Sequence, residues 1–323
     1  MRYGLGRRVL FCCIILTYLL AGWGYAAEDY PQRPINFIIP LGAGATGDVA
    51  SRLLIKGAEK HLGQPLVPVN KAGGGTTIGI AAIAAAKPDG YTIGYATHSG
   101  VFVGPLLAKL PYYPTTDLTP IMQFGALFFG VNVRASSPFK SFAEIIAYAR
   151  KNPKKLTYGT NGPSSMQYFI MSQVAKKEKV EFTHIPFKGS PEETAALLGG
   201  NVDFVVDTVV QSLVEAGEVR VLLTLNEERS PDYPNVPTLK DLGFDVPTPM
   251  ILSVMGPKGL PAPMVKRLED AFAKALKEPV FIKGMRESLH YPIIYRNSKD
   301  LGEYMTRNVE AYRKILTEMN LIK

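Results

Sequence analysis

The chain alternates short apolar runs with longer stretches in which apolar residues return every three to four positions, the pattern of strands feeding amphipathic helices. The first unit lies in NFIIPLGAGATGDVASRLLIKG, from Asn36 to Gly57. It reads as a strand over Ile35–Pro40, a loop over Leu41–Gly47 and a helix from Asp48. PLVPVN then reads as a strand, KAGGGTTIG as a second glycine loop and IGIAAIAAAK as a small-residue helix ended by Pro88-Asp89-Gly90. YTIGYA is a third strand, so the order is β-α-β-α-β, one doubly wound half.

Near LFFGVNVR the pattern starts again. Ser141-Phe142-Ala143-Glu144 is a capping box, opening a helix with Phe142, Ile145, Ile146 and Ala149 on one face, and Asn152-Pro153 stops it. LTY is a strand, GTNGPSS a loop, MQYFIMSQVAKK a helix and VEFTHIPF a strand. Ser190-Pro191-Glu192-Glu193 reads as a second capping box, on a helix that Gly199-Gly200 ends. VDFVVD and VRVLLTL are strands. The proline-rich SPDYPNVPTLKDLGFDVPTP reads as a surface excursion, and LPAPMVKRLEDAFAKALK and DLGEYMTRNVEAYRKIL as closing helices. The expectation is an α/β protein with mostly parallel sheets in two halves.

Composition changes the picture at one end only. At 323 residues with 46% hydrophobic and 20% charged positions, the chain is globular and long enough for two domains. Arg2, Arg7 and Arg8 precede an apolar run from Val9 to Ala21, and Gly24-Tyr25-Ala26-Ala27 follows. This is the layout of a cleaved secretory signal over 1–26, too short for a spanning helix of about 20 residues. Cys12 and Cys13, the only cysteines, lie inside it, so disulfides and thiolate-held metals are excluded from the mature chain. Removing Arg2, Arg7 and Arg8 lowers the formal charge from +8 to about +5. The remaining Lys and Arg are scattered, which argues against nucleic-acid binding and suits an acidic ligand.

In each half a strand runs through a Gly/Ser/Thr loop into a helix: Leu41–Gly47 before Asp48, and Gly159–Ser165 before Met166. The first amides of a helix lack intrahelical partners, and its dipole places partial positive charge there. Two such ends facing one cleft form an anion clamp. Each supplies about 0.3–1 kcal/mol, up to about 2 when partly buried. Micromolar binding needs about 8 kcal/mol, so hydrogen bonds in a closed cleft must add the rest. Thr46, Thr160, Asn161, Ser164 and Ser165 are the available side-chain donors.

Gly42, Gly44 and Gly47 also stand at G-x-G-x-x-G spacing, which raises an exported NAD(P)-dependent oxidoreductase as the alternative. Against it, Pro40 and Leu41 separate the strand from the first glycine, and the second strand ends in Val69-Asn70-Lys71 without an acid for a ribose. In its favour, Gly6-Arg7-Arg8-Val9-Leu10 faintly resembles a twin-arginine signal.

The segments YPQRPINFIIP, GAGATGDVASRLL, LGQPLVPVNKAGGGTTIG, AAAKPDGYTIG, NPKKLTYGT, FTHIPFKGSPEETAALLGGNVDFVVD, RSPDYPNVPTLKDLGF and GPKGLPAPMVKRL resemble, in order, the tripartite tricarboxylate transporter receptor family, also called the Bordetella uptake gene family. The resemblance implies a type II periplasmic binding fold, with two doubly wound α/β domains around a hinged cleft. It implies domain 1 over 27–127 plus 251–323 and domain 2 over 128–250. Such a protein closes on a small organic acid as a monomer, without cofactor, and hands it to membrane permease subunits.

By position, the resemblance places Leu41, Ala43, Gly44, Ala45, Thr46, Gly47 and Asp48 at one end of the ligand. It places Thr160, Asn161, Ser164 and Ser165 on the other domain, with His98, Ser99 and Asp207 lining the rest. Departures fall at Ala45, where the family often has glycine, and at Ser164, Tyr168 and Val69. A methyl at position 45 narrows the loop unless its φ is ordinary. A sensor on the same fold is a further alternative.

Other chemistries find little support. His61, His98, His184 and His290 show no metal-ligand spacing. Ser99, His184 and Asp207 could be drawn as a hydrolase triad, but no G-x-S-x-G elbow exposes a nucleophile. Asp48 also has a structural reading at a helix N-terminus, and Asp207 one as a turn cap.

Overall fold

The computed structural model describes residues 30–322 except 164, 188, 228, 231, 245, 319 and 320. The signal expected over 1–26, with Cys12 and Cys13, and the site residue Ser164 lie outside the described residues. Two five-stranded sheets organise the rest. Strands β1 (Ile35–Ile39), β2 (Leu66–Asn70), β3 (Thr92–Thr97), β4 (Leu118–Ala126) and β10 (Ile251–Pro257) form one, in the order β2-β1-β3-β10-β4. Strands β5 (Phe129–Arg134), β6 (Thr157–Thr160), β7 (Thr183–Pro186), β8 (Phe204–Thr208) and β9 (Val219–Thr224) form the other, in the order β7-β6-β8-β5-β9.

The sheets repeat one plan. In each, three strands run parallel, β2-β1-β3 and β7-β6-β8, with a βαβ crossover between neighbours. An antiparallel strand then follows, β10 beside β3 and β5 beside β8, and a fifth strand pairs antiparallel with it. Four of the five strands in each sheet therefore run the same way, as expected, with a single reversed strand, β10 or β5, inserted among them. In the first, the antiparallel member arrives from near the chain's end, a pairing that no local pattern encodes.

The helices are α1 (Thr46–Leu62), α2 (Thr77–Ala84), α3 (Phe142–Lys151), α4 (Met166–Glu178), α5 (Ser190–Gly199), α6 (Ala262–Ala275) and α7 (Ser298–Glu318), joined by shorter turns. Their buried stripes follow the helical period: Leu301, Tyr304, Met305, Val309, Tyr312 and Leu316 in α7, and the expected Phe142, Ile145, Ile146 and Ala149 in α3. Ser141 caps α3, accepting from the Glu144 amide at 3.3 Å. The second box does not form. Ser190 is already helical, Gly189 takes the cap position, and Glu193 turns inward.

The chain crosses between the sheets at Leu127-Phe128 and again between β9 and β10. Asn226 ties the crossings together: its Nδ2 donates to Leu127 O at 2.7 Å and its Oδ1 accepts from Phe129 N at 3.3 Å. Leu127 N donates to Met250 O at 2.9 Å. The proline-rich segment is a packed strap rather than a surface excursion. It buries Tyr233, Leu239 and Phe244, and Tyr233 stacks on Phe128 with ring centroids 5.1 Å apart. Aromatic side chains between the prolines supply that burial.

Candidate functional site

The loop after β1 stands at the carboxyl end of its strand, where open α/β sheets hold ligands. Its glycines answer different demands. Gly44 has φ +81°, and Gly47 lies so close to β3 that a Cβ would stand 2.7 Å from both Leu41 Cδ1 and Tyr95 Cε1. Gly42 meets neither condition. Ala45 keeps an ordinary extended backbone (φ −63°, ψ 151°), so its methyl is accommodated without strain. Helix α1 begins at Thr46, two residues earlier than the pattern suggests, and Thr46, Gly47 and Asp48 present its first-turn amides.

Asp48 is turned into the structure. Its carboxylate accepts from Gly44 N at 2.9 Å, from Arg52 Nε at 3.0 Å and from Asn70 Nδ2 at 2.8 Å. Asn70 also donates to Leu41 O at 2.9 Å and accepts from Arg52 Nη2 at 2.8 Å. Burial works to raise the Asp48 pKa, but the bonds from Arg52, Asn70 and Gly44 together hold it below the ordinary value. The network stiffens the loop. It also occupies Asn70, the position where a dinucleotide fold would present an acid to the ribose.

At the end of β3, the Thr97 hydroxyl lies 2.6 Å from that of Thr76 and accepts from Gly100 N at 3.2 Å. His98 follows. It is buried, burial lowers its pKa to about 4, and its ring is a neutral imidazole whose Nδ1 has no partner. The ring meets the edge of Phe129 at 5.7 Å, so it reaches a strand of the other sheet. Ser99 is half-buried at the start of the next turn.

The second loop leaves β6. Thr160 is fully buried, and its hydroxyl lies 2.8 Å from His184 Nε2 and donates to Gly162 O at 3.2 Å. Ser165 Oγ donates to Thr160 Oγ1 at 3.2 Å and accepts from Tyr168 N at 3.3 Å, capping α4. These hydroxyls set the loop's shape through internal bonds. Asn161 is exposed and donates from Nδ2 to Asp207 Oδ1 at 3.2 Å. Gln167 Nε2 reaches the same oxygen at 3.4 Å.

Asp207 pairs with Gly130 across the β5–β8 ladder, one step from the Phe129–Thr208 pair on which His98 rests. It is buried, and burial raises its pKa against hydrogen bonds from Ser190, the Thr208 amide, Gln167 and Asn161. Tyr291 is the residue that sequence reasoning missed. It lies between α6 and α7, is buried, bonds to Thr46, and stands near enough to feel the Asp207 charge. Burial chiefly raises its pKa.

The structure thus draws Thr46, His98, Asn161, Asp207 and Tyr291 from both halves toward one place. It does not assemble a hydrolase: the His184 Nε2 is engaged by Thr160, and its ring lies 5.0 Å from Tyr158 and 4.6 Å from Tyr168. No lysine or arginine is among the buried residues described. The described residues contain no cluster of three or more His, Cys, Asp or Glu suited to a metal, and no helix long and apolar enough to cross a membrane.

Residues 50–321 match the model of the tripartite tricarboxylate transporter family receptor. A UPF0065 protein from the gbd 5′ region of Cupriavidus necator is 37% identical over 92% of this chain and 90% of its own length. The periplasmic binding protein BugD superposes with a TM-score of 0.74 at 27% identity, covering 91% of this chain and all (100%) of BugD. A Rhodopseudomonas palustris protein solved with adipate superposes with a TM-score of 0.75 at 27% identity, covering 90% of this chain and 98% of that one.

Proposed function

The chain belongs to the tripartite tricarboxylate transporter receptor family, and from that premise we propose that it is a periplasmic receptor that closes on a small carboxylated acid and delivers it to a membrane permease. The family and the fold are those of solute-binding receptors rather than enzymes. One domain comprises 27–127 with 251–323, the other 128–250, and the crossings stitched by Asn226 are the hinge. The signal over 1–26 directs export.

The observation that carries this reading is Tyr291, which bonds Thr46 at the start of α1 and feels the charge of Asp207, the partner of Asn161 in the loop after β6, with no buried lysine or arginine among the described residues. A carboxylate there is held by amides. The amides of Leu41, Ala43, Thr46, Gly47 and Asp48 cradle one end, while those of Gly44 and Ala45, bonded to the Asp48 carboxylate and to Gly42 O, hold the loop's shape beside the Asp48–Arg52–Asn70 network. From the other domain Asn161 and Ser165 meet the ligand on a loop whose shape Thr160 fixes from beneath, and His98 Nδ1 and Ser99 supply polar contacts between. The adipate held by the R. palustris relative supports an organic acid as cargo.

The test is a thermal-shift screen of small mono- and dicarboxylates beside NAD and NADP. A ligand at a hundred times its Kd adds about 2.7 kcal/mol, so a bound acid raises the Tm measurably. A response to nucleotides with none to acids overturns the receptor reading.

A further inference from the structure

Beneath the cleft lies a second carboxyl group that neither loop accounts for. Glu193, on α5, is 0% exposed, and neither of its side-chain oxygens meets a hydrogen-bond donor. The group beside it is the Asp207 carboxyl, at the end of β8. Two ionised carboxylates cannot share a buried site, so one carboxyl keeps its proton and donates it to the other. Asp207 receives hydrogen bonds from Asn161, Gln167, Ser190 and the Thr208 amide while Glu193 receives none, which assigns the proton to Glu193, and burial and the Asp207 charge raise its pKa. Asp207 is then the acceptor. The donors to Asp207 are all neutral, and the negative charge they stabilise is held on that carboxyl.

From the other half the pair faces Tyr291, with His98 one ladder step away on Phe129. Burial keeps the imidazole neutral and the phenol protonated, so neither offsets the charge. The cleft is therefore polar in a directed sense, with an amide-lined anion end at the first loop and a singly negative wall at Asp207. Resting on the receptor reading above, we propose that Glu193 and Asp207 form the specificity wall of the cleft, favouring ligands whose second end is a hydrogen-bond donor, a hydroxyl or an ammonium group, over those ending in a second carboxylate. Asp207 supplies the charge. Glu193 is a positioning residue that sets how much charge the wall carries.

Isothermal titration at pH 7 with matched acids tests this: 4-hydroxybutyrate and 4-aminobutyrate against succinate, and 6-hydroxyhexanoate against adipate. The expected result is at least tenfold tighter binding of the donor-ended acid in a series that binds, with Asp207→Asn erasing the preference. Glu193→Gln retains it at pH 7. In the wild-type protein, discrimination between 4-hydroxybutyrate and succinate steepens as the pH rises from 7 to 10 and Glu193 ionises. Glu193→Gln removes that steepening, a change that a merely structural role would not produce. Equal or tighter binding of the dicarboxylate by the wild type overturns the specificity wall and leaves the receptor intact. Binding of no acid in either series overturns both.

Discussion

At the scale of single residues, identical side chains carry unequal demands. Gly42→Ala should be neutral within about 0.5 kcal/mol, because no left-handed backbone or close neighbour constrains that position. Gly44→Ala, at φ +81°, should cost about 1–2 kcal/mol, and Gly47→Ala, pressed against Leu41 and Tyr95, about 1–3 kcal/mol. Urea denaturation of the three variants checks that ranking. The G-x-G-x-x-G spacing was visible in the sequence, but what separates its members is the backbone angle at 44 and the ring of Tyr95. Asp48 and Glu193 make the same point with charge. Both stand in the first turn of a helix, yet one is tied to Arg52 and Asn70 and the other faces Asp207, partners that only the folded topology supplies.

Their pH signatures are opposite in sign. Hydrogen bonds hold the Asp48 pKa below its unfolded value, so its stabilisation is present above pH 3.8 and is lost as the pH falls through the folded pKa. Asp48→Asn should therefore cost about 1–3 kcal/mol at pH 7, and the gap to wild type should narrow in acid. Burial and the Asp207 charge raise the Glu193 pKa above its unfolded value of 4.5, so its contribution is fully present below pH 4.5 and is lost as the pH rises through the folded pKa. Glu193→Gln should gain on wild type as the pH rises above about 5, by at most about 1.4 kcal/mol per pH unit. Denaturant titrations across pH measure both, and a gap that does not move with pH contradicts the assignment in either case.

At the scale of elements, local signals located the units and tertiary pairing completed them. The helix of Phe142, Ile145, Ile146 and Ala149 follows from its stripe and its serine cap. The strands β4 and β10 do not announce themselves, since TPIMQFGA and ILSVMGP are buried on both faces and lack alternation. Their antiparallel pairing joins residues 118–126 to residues 251–257, a choice made by the whole sheet. The second capping box failed because Pro191 is equally at home when the helix starts one residue earlier, which frees Glu193 to turn inward. In the second loop, Ser165 both caps α4 and bonds to Thr160, so Ser165→Ala should cost about 1 kcal/mol and loosen the loop. A fall in Tm accompanied by weaker acid binding is the expected pair of readings, and unchanged binding would separate the cap from the site.

At the scale of the molecule, the crossings at Leu127-Phe128 and Leu225–Met250 join two sheets of the same plan, and the two halves touch where His98 meets Phe129 and where Tyr291 bonds Thr46 and feels the charge of Asp207, the partner of Asn161, which is where the ligand is proposed to bind. The two-halved architecture was legible because each half repeats strand, glycine loop and helix. Tyr291 was not, because it comes from a connecting segment without periodicity and reaches the site only through the closing helices. The central claim is that this cleft holds a small organic acid through amides. Its most direct test is native mass spectrometry of the mature protein taken from the periplasm without refolding, with the released ligand identified. The account predicts a mass increment matching a small carboxylate, one that Gly44→Val loses; a bound dinucleotide would contradict it.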